Sequence, residues 1–451
     1  MELTLFLTLT AFLYLSIIFF LFKRNGLFLY IAFFWWFLWL VVSSLSLTGI
    51  FLPSLETYSH FYLFLFAVLI GAILCRFSPR KVLVNSSKKI KLRASVDDRA
   101  EKILLRLNYF VILPVVIFFL FKAIYLFSTL EDIYLYRAMA FGLDGEESIL
   151  MINGYVALAY NIFIKPILIA SYFFGLAVYI KTGKTKLLIL CISAIFFDAV
   201  AMLSRAGFYY VILFTLTAIF IRADLNIKIL FKPKLIFSFL LVLLLIYIIS
   251  ASRNDNTGLM YIINQLVINY HTFSFTLYDI ALHDKNSLLN NVTTFGLASS
   301  GFIEQFFSLL LRLMGLEITP LYREIGISLN DFQEVGYSAE GGAITANAYG
   351  SILYTLYMDG GLGFIFCFGA LFGFVLAKLS TKALTSKNIF IMSQSLFLLY
   401  MLMFGLFQPI LSGNISSVSF ILIAIYLVGS SAASTNGGVF IHQPLELNSK
   451  I

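Results

Sequence analysis

The chain has 451 residues, of which 61% are hydrophobic and only 12% are charged, against roughly 25% charged in an ordinary soluble domain. That balance excludes water as the main solvent and points to a bilayer. The net charge of +8 does not indicate a nucleic-acid partner, because the lysines and arginines sit mainly in short loops between apolar blocks.

Taken in chain order, the blocks at residues 3–22 and 27–50 are each long enough to cross a hydrocarbon core, which needs about 20 helical residues. They are continuous rather than alternating with period two, so an outer-membrane barrel is excluded and helices are expected. Further stretches at 59–75, 108–127, 155–180, 187–203, 208–221, 235–250, 352–377, 389–410 and 414–429 bring the expected number of spans to about eleven. The first block has no basic residue before it and no small-residue cleavage site after it, so it is expected to stay as a span. Cys75, Cys191 and Cys367 lie in or beside apolar blocks with no paired spacing, and read as core thiols. The fold class is therefore an all-α polytopic membrane protein. An N-terminal bundle occupies residues 1–250, a large external loop 251–351, and a C-terminal bundle with its tail 352–451. Within the loop, Leu259 to Leu282 and Phe295 to Met314 are apolar enough to form helices that lie on or dip into the membrane interface. A hidden pair of spans there would raise the count to twelve or more and leave the topology unchanged.

Alternate loops carry the charge: Lys23 and Arg24; ten basic residues from Arg76 to Arg106; Lys181, Lys184 and Lys186; Arg222 to Lys234; and Lys378, Lys382 and Lys387. Retention of lysine and arginine on the cytoplasmic side predicts an external amino terminus and a cytoplasmic carboxyl terminus. The ten-residue cluster reads as topogenic charge attracted to anionic headgroups.

Eight basic residues stand apart: Lys122, Arg137, Lys165, Arg205, Arg253, Lys285, Arg312 and Arg323. Lys165 falls inside a span, where an ammonium needs a partner or a polar cavity. Asp198 in the next span is the expected partner, either as a helix-locking ion pair or as part of a substrate site. Arg205, in Ser204-Arg205-Ala206-Gly207, and Arg253, at the mouth of the large loop, face the same external layer. Outside the spans five arginines stand against one lysine, Lys285. The guanidinium fork suits phosphate or pyrophosphate, whereas the bland reading of each arginine is an interface anchor. No phosphate-cradling glycine loop is present, and the four histidines, His60, His271, His283 and His442, are too scattered for a helix-borne metal motif.

Three places carry a family resemblance: Leu203-Ser204-Arg205-Ala206-Gly207 opening an apolar span, Arg253, and the run from Glu340-Gly341-Gly342-Ala343 to Met358-Asp359-Gly360-Gly361-Leu362-Gly363. In these and in its architecture the chain resembles the O-antigen polymerase (Wzy) family of oligosaccharide repeat-unit polymerases. The resemblance implies a GT-C-like glycosyltransferase without metal or other cofactor. Its substrates would be undecaprenyl-pyrophosphate-linked oligosaccharides, and a partner would be a chain-length regulator of the polysaccharide co-polymerase type. Preorganised arginines would stabilise the departing pyrophosphate; Arg205 and Arg253 are assigned that role, with Arg323 and Arg137 as further candidates. Glu340 is the first choice of base for the acceptor hydroxyl and His271 the second, while Asp359 reads as shaping its local turn and Tyr349, Tyr354 and Tyr357 as interface aromatics. An O-antigen ligase acting on lipid A core is the nearest alternative, and a lipid-linked oligosaccharide flippase a further one.

Overall fold

In hydrocarbon a chain must satisfy its backbone polar groups internally, and the long apolar runs do so as helices. The computed structural model describes residues 2–78, 87–129, 136, 150, 154–204, 206–226, 233, 268–316, 320–338, 341–347 and 350–435. Helix α1 (Glu2–Phe22) turns at Lys23–Gly26 into α2 (Leu27–Ser44), which folds back along it. There follow α3 (Leu55–Phe77), α4 (Ser87–Leu107), α5 (Leu113–Thr129), the short α6 (Gly154–Ala159), α7 (Lys165–Thr182), α8 (Lys186–Ala201) and α9 (Ala206–Arg222). Next come α10 (Tyr270–His283), α11 (Leu288–Asn291), α12 (Gly301–Leu313) and α13 (Leu321–Asn330). A hairpin of β1 (Gln333–Tyr337) and β2 (Ala343–Ala346) leads to α14 (Ile352–Thr385), α15 (Ile389–Phe404) and α16 (Val418–Thr435).

The chain is thus a helical membrane protein. Among the described residues five helical segments have the length and composition to cross a bilayer: Glu2–Ser44, Leu55–Phe77, Val96–Thr129, Val156–Thr182 and Ile352–Thr385. The first contains the expected span at 3–22 and residues 27–44 of the one expected at 27–50. Ala206–Arg222, Ile389–Phe404 and Asn414–Val428 are shorter apolar helices. The expected span at 235–250 lies outside the described residues.

Close packing centres on α3 and α14, whose glycines let two backbones meet as in small-residue membrane interfaces. A Cβ at Gly71 would stand 1.8 Å from the Ala370 carbonyl oxygen, and one at Gly373 2.0 Å from that of Val68. Two wide, π-type turns interrupt other helices, at Asn108–Ile112 and Tyr160–Ile164. The first places the buried Asn108 to donate to Ser171 Oγ at 2.7 Å, so a polar side chain inside the bundle is satisfied.

Residues 268–316, 320–338 and 341–347 form a cap on the end of the bundle that also carries the 45–54 loop. The hairpin is stitched to that loop: Phe51 N donates to Val335 O at 2.8 Å, and Tyr337 N to Gly49 O at 3.0 Å. Beneath it Val335, Ile50, Phe273, Leu277 and Ala346 form a small apolar core. The opposite end of the bundle is basic. There Arg24 pairs with Asp224, and Lys184 bonds Asp98 at 3.1 Å and Glu101 at 3.2 Å, contacts that raise the Lys184 pKa.

Helix α12 is amphipathic in reverse. Gln305 and Ser308 are buried against the bundle, while Ile303, Phe306, Phe307, Leu310 and Leu313 are exposed at three- and four-residue spacing. A helix bathed in water would turn the other way, so this face belongs in hydrocarbon or at its boundary. Within the expected loop segments the described residues form α10 and α12, while residues 259–267 of the first segment lie outside the described residues.

Candidate active site at the capped face

Helix α14 is broken where it meets the cap. Gly360 has φ 172° and ψ 31°, outside the helical region, and Gly361 has φ 61° and ψ −149°; the positive φ at Gly361 is one that glycine adopts readily. Immediately before the break, the Asp359 carboxylate is buried and accepts from Thr294 Oγ1 at 2.5 Å, Gly296 N at 2.8 Å, Ala298 N at 3.0 Å and Ser299 N at 2.9 Å. Thr294 N in turn donates to Met358 O at 3.0 Å, using a carbonyl near the interruption. Asp359 therefore fastens the loop leading into α12, a longer reach than the local turn expected of it. Past that loop, Gln305 Nε2 donates to Ser412 O at 3.2 Å, and Gly301 lies too close to Ser412 O for a Cβ, which would stand at 2.0 Å.

Above the bundle an open-sided cleft of about 450 Å³ lies between α10, α11, α13, β1 and the start of α14. Its walls carry the carboxylates of Asp284, Glu324 and Asp331, with Asn286, Ser287, Ser328, Gln333 and Tyr354, over an apolar floor that includes Leu277 and Ile327. Tyr354, expected as an interface aromatic, is buried instead, its hydroxyl 3.5 Å from Ser328 Oγ. This size is within the range of small-molecule sites, and paired carboxylates and amides suit the hydroxyls of a sugar.

Helix α10 forms one wall because polar ties hold it in place. Asp279 Oδ1 accepts from Ser54 N at 3.1 Å and Thr57 Oγ1 at 2.8 Å, joining α10 to the N-terminal cap of α3. The hydroxyl of Tyr278 lies 3.0 Å from His60 Nδ1, and the His60 ring stacks on Tyr357 with centroids 5.4 Å apart.

The expected site residues divide into three groups. Arg205, Arg253, Arg137 and Glu340, together with Tyr349, lie outside the described residues. Arg323 is exposed in the first turn of α13, adjacent in sequence to the cleft residue Glu324. His271 does not line the cleft. It is buried, stacked flat on Trp39 at 3.9 Å between ring centroids and edged by Trp35 and Phe407 at 5.2 Å each.

The expected Lys165–Asp198 ion pair is corrected: the two are not in ionic contact, and Tyr160 stands between them. The Tyr160 hydroxyl donates to Asp198, and the Lys165 ammonium lies 5.6 Å from the Tyr160 ring centroid. The wide turn at 160–164 swings Tyr160 into that position, which no pattern in the sequence announces.

Sequence reading missed the cleft carboxylates, because Asp284, Glu324 and Asp331 come from three separate loop elements and read singly as solvated surface. Among the described residues no group of three or more His, Cys, Asp or Glu is arranged to hold a metal ion. No family model, curated protein or solved structure matches the chain.

Proposed function

We propose that the chain is a membrane glycosyltransferase that joins undecaprenyl-pyrophosphate-linked oligosaccharide repeat units at the periplasmic face of a bacterial inner membrane. The observation that carries this reading is the cleft: an open-sided, acid-bearing cavity in a folded cap directly on a membrane-embedded bundle. A substrate with a sugar head and a hydrocarbon tail needs such a junction of polar cavity and apolar flank, and α12 supplies an apolar flank to the same cap. The proposed topology has about eleven spans, with the amino terminus periplasmic and the carboxyl terminus cytoplasmic.

In the proposed reaction the acceptor sugar's hydroxyl attacks the anomeric carbon of the donor. The bond from that carbon to the pyrophosphate oxygen breaks, and the hydroxyl proton passes to a carboxylate of the cleft or to Glu340. Arg205, Arg253 and Arg323 stabilise the negative charge growing on the pyrophosphate, a role that needs no metal. Removing one such donor typically slows the chemical step by about 10²–10³.

Surface-glycan laddering tests the reading. Deletion of the chain is expected to leave a single repeat unit on the lipid core, and Arg205→Ala or Arg253→Ala at matched expression is expected not to restore the ladder. Loss of all glycan from the core on deletion would overturn the reading in favour of a ligase or a flippase.

A further inference from the structure

At the basic end of the bundle, far along α3 and α14 from the cap, a notch of about 220 Å³ opens between the α1–α2 turn and the ends of α3 and α14. It is lined by Phe20, Leu21, Phe22, Lys23, Asn25, Arg76 and Thr381. Two cations, an amide and a hydroxyl converge there, and no carboxylate is among the described lining residues. Arg24 beside it is neutralised by Asp224. Lys23 makes no hydrogen bond or ion pair to any described residue, while Arg76 is oriented by its Nε donating to Leu21 O at 3.1 Å, which leaves the rest of its fork to the notch.

Two further observations narrow the ligand. Lys23 holds φ at 49°, a left-handed backbone uncommon for a side-chain-bearing residue. Such strain is kept where the surroundings over-determine it, and sites of binding are where it collects. Around the notch Phe19, Phe20, Leu74 and Phe77 are exposed, so the cations stand at the rim of an apolar, lipid-facing surface rather than on an aqueous one.

We propose that this notch binds the phosphate of an anionic membrane lipid, with the lipid's chains along Phe20 and Phe77. The site is independent of the glycosyl-transfer reading and stands or falls separately from it.

The test is native mass spectrometry of the purified full chain titrated with phosphatidylglycerol or phosphatidylcholine. A basic side chain near a lipid surface favours binding by about fivefold, so the first phosphatidylglycerol should bind about thirtyfold more tightly than phosphatidylcholine. Lys23→Gln should weaken it about fivefold, while Lys387→Gln, exposed on the same face but outside the notch, should leave it unchanged. Lys23→Gly removes the charge and relaxes the left-handed backbone, so equal weakening in that variant separates lost binding from lost folding. Three results would overturn the proposal: equal affinity for the two lipids, equal weakening by Lys387→Gln, or displacement of the lipid by inorganic phosphate at matched concentration. The last would assign the notch to free phosphate instead.

Discussion

Replacing Asp359 tests how the cap is held on the bundle. Asp359 is 1% exposed and its carboxylate accepts four hydrogen bonds, three of them from backbone amides. Asp359→Ala leaves those donors buried and unsatisfied at about 1–3 kcal/mol each, a sum reduced by relaxation of the loop and entry of water. A net loss of about 3–5 kcal/mol is expected, as for removal of one partner from a buried charged network. Asp359→Asn keeps one acceptor oxygen and loses the charge, so a smaller loss of about 1–3 kcal/mol is expected. Hydrogen exchange reads the effect locally: the amides of Gly296, Ala298 and Ser299 should lose protection in Asp359→Ala, and α12 should become sensitive to protease. Unchanged exchange at those three amides, with a melting temperature equal to wild type, would refute the clamp.

Gly71→Ala and Gly373→Ala each drive a methyl group into a backbone carbonyl across the α3–α14 contact and should cost about 1–3 kcal/mol or more, seen as a lowered melting temperature in detergent. Gly361→Ala meets no atom within 4 Å yet should cost about 1–3 kcal/mol from its φ of 61°, whereas Gly363→Ala, also in open space, should be neutral by the same measurement. With the native cysteines replaced by serine, Lys285→Cys should react with an impermeant maleimide added outside intact cells and Lys387→Cys should not; the reverse pattern inverts the topology. Among Glu324→Gln, Asp331→Asn and Asp284→Asn, the one that replaces the base should slow glycan elongation by about 10²-fold or more at unchanged melting temperature, and activity of all three near wild type would remove the base from the cleft.

What the sequence made legible follows from the range of the interactions involved. Continuous apolar runs such as 27–50 and 352–377 announce helices because a bilayer leaves the backbone no alternative. The cap is another matter. Its hairpin is held by Phe51 meeting Val335, its α12 approach by Asp359 meeting Thr294 and the amides beyond, and its α10 wall by Asp279 meeting Ser54. Each tie joins residues remote in sequence, so the loop read as two apolar stretches without a cleft between them. The break in α14 was equally hidden, since Gly360 and Gly361 within an apolar run are compatible with an uninterrupted span. Helix order brings Lys165 and Asp198 into one neighbourhood, but the turn that places Tyr160 between them is a local widening of the helix, which a hydrophobic pattern does not encode. Arg323 stands out in the sequence as an external arginine, whereas the carboxylate of Glu324 beside it, which lines the cleft, carries no signal of its own.

The central claim is transfer of a glycan from one lipid-linked repeat unit to another. Its most direct test is the purified chain in lipid vesicles, supplied with undecaprenyl-pyrophosphate-linked repeat units and no other acceptor, with products resolved by size. The account predicts a series of lengthened lipid-linked glycans with undecaprenyl pyrophosphate released in step, in the presence of a metal chelator as in its absence. Repeat units that stay at single length, with or without added divalent metal, while the chain remains folded would contradict it.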